Sequence, residues 1–129
     1  GAGIQADLKT FQARNVFGMS IVLALTAQNT IGVQQSLAIA PDFITAQFAS
    51  LADDFELRAC KTGMLADVTR VETVVENLLR VDFGPLVIDP VMIAKGGHAL
   101  LADNAIDCIK KKLVPLANLI TPNIPEAEN

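Results

Sequence analysis

The sequence predicts an α/β fold in which an open, mostly parallel β-sheet carries helices on both of its faces. Short apolar segments rich in β-branched residues alternate along the chain with segments of helical periodicity, and this alternation is typical of parallel sheets. Of the 129 residues, 51% are hydrophobic and 19% are charged, so the chain can bury a compact core and is not disordered. We therefore expect residues 1–129 to lie in a single domain.

The first quarter of the chain predicts one helix followed by one strand. Residues 2–13 place apolar side chains at helical spacing, and Gly18 follows as a stop signal. The apolar run 19–27 is expected to form a central parallel strand that is buried between helix layers. The turn residues 29–32 end that strand.

The middle of the chain predicts a second helix and strand. Residues 41–53 begin with a proline, which suits the first turn of a helix, and continue with apolar residues at three- and four-residue steps. Residues 57–62 then form a short strand that stops at Gly63.

A third helix and two further strands follow. Asp67 is the predicted N-cap of a helix that runs to about residue 80. Its expected buried stripe consists of Val68, Val71, Val74, Val75, Leu78 and Leu79. Residues 86–89 form a strand that ends in a carboxylate, and residues 117–121 form the last strand. Between them, residues 103–113 are expected to be a fourth helix, closed by three lysines that suit its dipole.

Composition excludes several classes of function. Fourteen acidic and ten basic residues give a net charge of −4, which argues against binding to nucleic acid. The longest apolar run is too short to span a membrane, and no secretion signal is recognisable. Two widely spaced cysteines, Cys60 and Cys108, are expected to be reduced interior residues, which favours a cytoplasmic location.

The ends of the predicted strands are the candidate functional residues, because ligands of open α/β sheets bind beyond the carboxyl ends of the strands. These ends are Gln28 and the segments 61–64, 89–92 and 121–126. We expect the four to meet on one edge of the sheet.

Each strand end has both a functional and a structural interpretation. The amide of Gln28 can recognise a ring nitrogen beside an amino group, or it can bond to the following turn. Met64 can pack on a flat ring or fill the core. Asp89 can hold magnesium or orient phosphates, or it can bind loop backbone. Asn123 and Glu126 can be oxygen ligands of magnesium, or they can be ordinary residues of the first turn of a helix.

Two other segments carry weaker signals. Gly1 and Gly3 leave amides that can meet an anion or a polar ring edge, and Asp7 can face the site or solvent. The loop 95–98 can close over phosphate, although it is no P-loop. His98 within it has no catalytic partner at a convincing spacing and is expected to be solvated.

Five motifs occur in order along the chain: GAGIQADLKTF at 1–11, TAQNT at 26–30, KTGML at 61–65, DPVM at 89–92 followed by AK at 94–95, and TPNIPEA at 121–127. Together they closely resemble the hydroxymethylpyrimidine and hydroxymethylpyrimidine phosphate kinases of thiamine biosynthesis, in the ribokinase-like superfamily. The resemblance implies a three-layer α/β/α kinase. It also implies MgATP-dependent phosphorylation of 4-amino-5-hydroxymethyl-2-methylpyrimidine and then of its monophosphate. A homodimer is expected, because dimers are usual in the resembled family and because missing strands would leave unpaired strand edges and apolar helix faces exposed.

The resemblance also assigns roles to individual residues. The implied pyrimidine pocket consists of Ala2, Asp7, Gln28, Met64 and Val91, with Asp7 near the hydroxymethyl group. The implied magnesium and phosphate end consists of Asp89, Asn123 and Glu126, with Asp89 and Glu126 as the magnesium ligands and a mobile flap around Lys95 as part of the ATP site.

Members of the resembled family begin with a strand before the segment that matches Gly1, and they continue beyond Glu126 to a Gly-Thr-Gly-Cys-type anion hole. Neither feature is present in residues 1–129. We therefore expect this chain to be the substrate-binding part of such a domain, inactive alone because the anion hole stabilises the transferring phosphoryl group. No catalytic residue is assigned. The alternatives are a pyridoxal-type vitamin kinase and a non-catalytic, truncated binding or assembly module.

Overall fold

A computed structural model describes residues 3–92 and 103–128 of the chain. In chain order the elements are α1 (Ile4–Ala13), β1 (Ala24–Gln28), β2 (Val33–Ala38), α2 (Pro41–Asp54), β3 (Cys60–Thr62), α3 (Val68–Arg80), β4 (Leu86–Ile88), α4 (Asp103–Cys108), β5 (Leu119–Ile120) and α5 (Ile124–Ala127). Helix α4 continues as a π-helical turn, Ile109–Leu113, and a 3₁₀ turn, Val114–Leu116.

Strands β3, β4 and β5 form a parallel sheet in that order. The connection between β3 and β4 contains α3, and the connection between β4 and β5 contains α4, as parallel neighbours require. The predicted α/β class and the three predicted strands of this sheet are confirmed, although each strand is shorter than expected.

The core lies where α2, α3 and the π-helical turn meet the parallel sheet. Its largest fully buried side chains are Ile44, Val71, Ile88 and Leu113, each at most 1% exposed. The predicted α3 is confirmed, with the Asp67 side chain accepting a hydrogen bond from the amide of Arg70 at its N-terminus.

The prediction that Leu79 belongs to the buried stripe of α3 is wrong. Leu79 is 68% exposed, whereas Val71, Val74 and Val75 are buried. The apolar stripe is centred on those three valines, and Leu79 lies about 90° around the helix from its centre, so its side chain turns toward solvent.

The segment 19–27 is not the buried central strand that its apolar run predicts. The strand begins only at Ala24 and pairs antiparallel with β2, in a two-stranded sheet separate from the parallel one. Both of its strands are largely exposed. Before Ala24, the backbone of Val22 is hydrogen-bonded by a side chain and not by a neighbouring strand. The amide of Gln47 in α2 accepts from Val22 N at 2.9 Å and donates to Val22 O at 3.0 Å.

The sequence predicts a break at residues 29–32 and does not predict strand β2. These residues form the connection of a β-hairpin instead. The Asn29 side chain accepts hydrogen bonds from Ile31 N and Gly32 N, and Asn29 N donates to Gly32 O. The Asx-type turn closes the hairpin and brings the polar residues of β2 beside β1.

Helix α1 contributes no buried side chain. It rests on the chain at Gly18, where an added Cβ would lie 2.7 Å from Phe11 Cδ2 and 2.9 Å from Leu8 Cδ2. In the part of the chain that the structure describes, no helix is both long and apolar enough to cross a membrane.

Candidate active site at the carboxyl ends of the parallel strands

The three parallel strands end together at one edge of the sheet. Thr62 lies beside Ile88 and Ile88 beside Ile120, so the residues that follow these positions leave the sheet side by side. Asp89 N donates to Thr62 O at 3.0 Å, and Thr121 N donates to Ile88 O at 2.9 Å. Three of the four predicted strand ends therefore meet as expected. The fourth, Gln28, belongs to the separate β1–β2 sheet.

A cluster of three charged side chains lies at this edge, and we call it the Lys61 cluster: Asp7, Lys61 and Asp89. The Lys61 ammonium donates to both carboxylate oxygens of Asp7, at 2.8 and 2.9 Å. Its nitrogen is 3.7 Å from Asp89 Oδ2. The side chains are 31%, 27% and 38% exposed in the order Asp7, Lys61, Asp89, so solvent and ligands can reach them.

Lys61 is a site residue that the sequence pattern does not predict. It stands within the strand-end segment 61–64, but no role is assigned to it there. The sequence does contain a signal for a functional role, because Lys61 is the only charged residue of β3 and lies near the end of the strand, directly before Thr62 and Gly63. The partner Asp7 is 54 positions away, and local patterns do not contain that pairing.

Asn123 and Glu126 form a capping box at the start of α5. Glu126 N donates to Asn123 Oδ1 at 3.0 Å, and Asn123 N donates to Glu126 Oε2 at 3.0 Å. The other oxygen of Glu126 accepts from Met92 N at 3.3 Å, and Glu126 is only 9% exposed. These contacts match the first-turn interpretation, and they also tie α5 to the segment that follows Asp89.

These oxygen donors fit magnesium only through water or substrate phosphate. Asp89 is partly exposed, and the Glu126 carboxylate already accepts two backbone amides. Within residues 3–92 and 103–128, no group of three or more His, Cys, Asp or Glu side chains is arranged to enclose a metal. Magnesium in proteins usually keeps several water ligands and is bound by one or two carboxylates together with substrate phosphates. Asp89 and Glu126 are compatible with this mode of coordination.

The other residues predicted for the pyrimidine pocket do not all lie at this edge of the parallel sheet. Gln28 is exposed, and its Oε1 accepts a 3.4 Å hydrogen bond from Thr26. Met64 is half-buried directly after Gly63, and half-buried Val91 donates its amide to Asp89 O. Ala2, Lys95 and the 95–98 loop with His98 lie outside the described residues, as does Gly1.

The loop between β3 and α3 holds Met64 at the edge of the sheet. Its Ala66 adopts a left-handed conformation with φ of 67°. Leu65 is 3% exposed and anchors the loop in the core. Thr62 Oγ1 in the adjoining strand is buried without a hydrogen-bond partner among the described residues.

A sequence profile of the family described as phosphomethylpyrimidine kinase matches residues 1–129, the full length of the chain. The chain belongs to this family. A hydroxymethylpyrimidine/phosphomethylpyrimidine kinase of Haemophilus influenzae is 54% identical over 128 residues, which is 99% of this chain and 48% of the relative. A chloroplastic bifunctional thiamine-biosynthetic enzyme of Arabidopsis thaliana is 45% identical over 98% of this chain and 24% of its own length.

Solved structures agree with the family assignment. The crystal structure of a phosphomethylpyrimidine kinase from Clostridium difficile is 48% identical, with a TM-score of 0.93 over 99% of this chain and 55% of the other. An ADP complex of Bacillus subtilis pyridoxal kinase is 38% identical, with a TM-score of 0.83 over 99% of this chain and 47% of the other. The ribokinase-like fold is thus confirmed. The chain spans about half the length of the single-function kinases that it matches.

Proposed function

We propose that the protein carrying this chain uses MgATP to phosphorylate 4-amino-5-hydroxymethyl-2-methylpyrimidine and then its monophosphate, in thiamine biosynthesis. The observation that carries the proposal is the Lys61 cluster, which places Asp7 of the GAGIQADLKTF motif beside Asp89 of the DPVM motif. Two motifs of this kinase family, 82 positions apart in sequence, therefore meet at one edge of the sheet.

The substrate end of the site is proposed to contain Ala2, Asp7, Gln28, Met64 and Val91. Asp7 is supported best, because its carboxylate is held in place by Lys61 and remains partly exposed. A carboxylate so placed can accept a hydrogen bond from the substrate hydroxyl and direct its oxygen toward ATP. Gln28 supplies the donor and acceptor pair that an aminopyrimidine requires.

The phosphate end is proposed to contain Asp89, Asn123, Glu126 and Lys95. Asp89 and Glu126 would hold magnesium, mostly through water, and the bound ion would offset the charge on the phosphates of ATP. Glu126 supports this arrangement indirectly, because its other carboxylate oxygen accepts from Met92 N and so ties α5 to the segment after Asp89. Lys95 is proposed to meet phosphate from its loop.

Phosphoryl transfer depends on positioning and on electrostatic stabilisation of the moving group. The residues proposed here provide positioning, and none of them forms an anion hole for the transferring phosphoryl group. We therefore propose that residues 1–129 bind substrate without turning it over on their own.

The proposal is tested on the natural gene product that carries this chain, by measuring ADP release with MgATP and each pyrimidine. Gln28→Ala should lower kcat/KM for the alcohol by about 10- to 100-fold, because it removes a pair of hydrogen bonds to a polar ring edge. Gln34→Ala is the matched control, since Gln34 lies in the same hairpin with its amide donating to Asn29. Unchanged pyrimidine kinetics in Gln28→Ala would disprove the role of Gln28.

A pyridoxal-type vitamin kinase is the second candidate, and the structural similarity to pyridoxal kinase favours it over other classes. Both substrates are flat hydroxymethyl heterocycles. The two are separated by competition, with pyridoxal and the pyrimidine offered together to one enzyme. Preferred turnover of pyridoxal would replace the pyrimidine assignment, whereas binding without ADP release from either would indicate a non-catalytic module.

We also propose that the protein works in the cytoplasm as a homodimer. Both cysteines are free thiols, as expected of a reducing compartment. The β1–β2 hairpin exposes Leu25 and Leu37, and exposed apolar patches mark association surfaces.

A further inference from the structure

Lys61 has more hydrogen-bonding capacity than the described contacts use. A lysine ammonium carries three N–H donors. Two of them are directed at the Asp7 oxygens, at 2.8 and 2.9 Å. The third potential partner, Asp89 Oδ2, lies at 3.7 Å, which is within ion-pair range but too long for a hydrogen bond. One N–H is therefore available to a ligand that enters between the two carboxylates.

The charge of the cluster limits which ligands can enter. Asp7 and Asp89 approach Lys61 from α1 and from the end of β4, so the cluster carries one net negative charge with the lysine and two without it. A neutral alcohol is little affected by that difference. A phosphate monoester is repelled by two unscreened carboxylates and attracted by the ammonium between them.

We propose that Lys61 is a specificity-determining residue, whose ammonium donates a hydrogen bond to the phosphate of the phosphorylated pyrimidine and so admits the substrate of the second phosphorylation. This proposal rests on the proposed function, because it assumes that alcohol and monophosphate share one site. Lys61 also keeps Asp7 in place for both substrates.

The test compares the two substrates in variants of the natural gene product. Lys61→Met keeps the length of the side chain and removes the charge. We expect kcat/KM for the monophosphate to fall at least about tenfold more than kcat/KM for the alcohol, because a charge-assisted hydrogen bond is lost with only one of them. Lys61→Arg should restore most of the monophosphate activity. Lys112→Met is the matched control, since Lys112 forms a 2.6 Å ion pair with Glu72 of α3 and belongs to neither end of the proposed site.

The outcomes distinguish this proposal from the proposed function. Equal losses for both substrates in Lys61→Met would overturn it, and would leave Lys61 only the task of positioning Asp7. A selective loss of the monophosphate supports it. Failure of the unaltered enzyme to phosphorylate either pyrimidine would overturn the proposed function, and this inference with it.

A second measurement needs no variant, in case Lys61→Met does not fold. Lysine acetylation of the unaltered enzyme, followed by peptide mass spectrometry, reports access to each ammonium. The monophosphate should slow acetylation of Lys61 severalfold more than the alcohol does, because only the phosphate binds the ammonium directly, and Lys112 should respond to neither. Equal protection of Lys61 by both ligands, or by neither, would overturn the proposal.

Discussion

The thiol of Cys60 lies in a setting that disfavours its charged form. The residue is half-buried in β3, in a small cavity that Asp82, Phe83 and Gly84 also line. Burial, together with the negative charge of Asp82, raises the pKa of the Cys60 thiol from 9.0 to about 11. Cys60 is consequently a neutral thiol at physiological pH and a poor nucleophile.

The raised pKa of Cys60 predicts a specific loss of stability in alkali. A thiol whose pKa rises on folding stabilises the native state below pH 9.0, and this contribution disappears as the pH rises from 9.0 to about 11. The stability advantage of the unaltered protein over Cys60→Ala, measured by denaturant unfolding at pH 8 and pH 11, should therefore shrink. An advantage that is the same at both values would contradict the assignment, since other titrating groups cancel in the comparison.

At the scale of residues, the sequence is informative where chemistry is local. Asp67 as an N-cap and Asp89 at a strand end follow from their immediate neighbours, and the structure has both. The capping box of Asn123 and Glu126 is one of the two interpretations that the sequence allows. The ion pair of Asp7 with Lys61 depends on how α1 meets the sheet, which no local pattern encodes.

At the scale of elements, helices are predicted better than the first strand. Helices α2 and α3 agree with their predicted bounds within a residue or two. Each has a local start signal, the proline at the first position of α2 and the Asp67 cap of α3, and each has apolar residues at helical spacing. The apolar run 19–27 is ambiguous, since it resembles a strand buried on both faces. In the structure, the backbone of Val22 near its start is hydrogen-bonded by the Gln47 amide, and the backbone of its last residues is hydrogen-bonded by the partner strand β2.

Ala66, in the loop that leads into α3, is a position where replacing alanine by glycine should not destabilise the protein. Alanine to glycine normally costs about 0.5–1 kcal/mol inside a helix, and we expect that cost for Ala49→Gly at an exposed position of α2. Ala66 has a φ of 67°, which glycine adopts without strain and alanine does not. Ala66→Gly should therefore leave the free energy of unfolding unchanged or raise it by up to about 1 kcal/mol. Denaturant unfolding of both variants checks this, and equal destabilisation would contradict it.

At the scale of the whole molecule, the described structure has one deep core and an exposed β-hairpin. The core gathers α2, α3 and the turns after α4 around the parallel sheet. The β1–β2 hairpin lies apart from that sheet, and a two-stranded hairpin is marginally stable without further packing. Its Leu25 and Leu37 face each other across the strands and are 51% and 60% exposed. Directly opposed residues share a face of the sheet, so they form one apolar patch.

This patch predicts how the molecule associates. If Leu25 and Leu37 are buried between two copies, the natural gene product should have twice its polypeptide mass by light scattering. Leu25→Ser combined with Leu37→Ser should shift it to the monomer mass, because each serine removes apolar area that contributes roughly 25 cal/mol per Å² when buried. Leu79→Ser is the control, since Leu79 is at least as exposed, at 68%, but lies on α3, and it should leave the dimer intact. A monomer before any substitution would refute the dimer, and a dimer that survives the double substitution would move the interface to another surface.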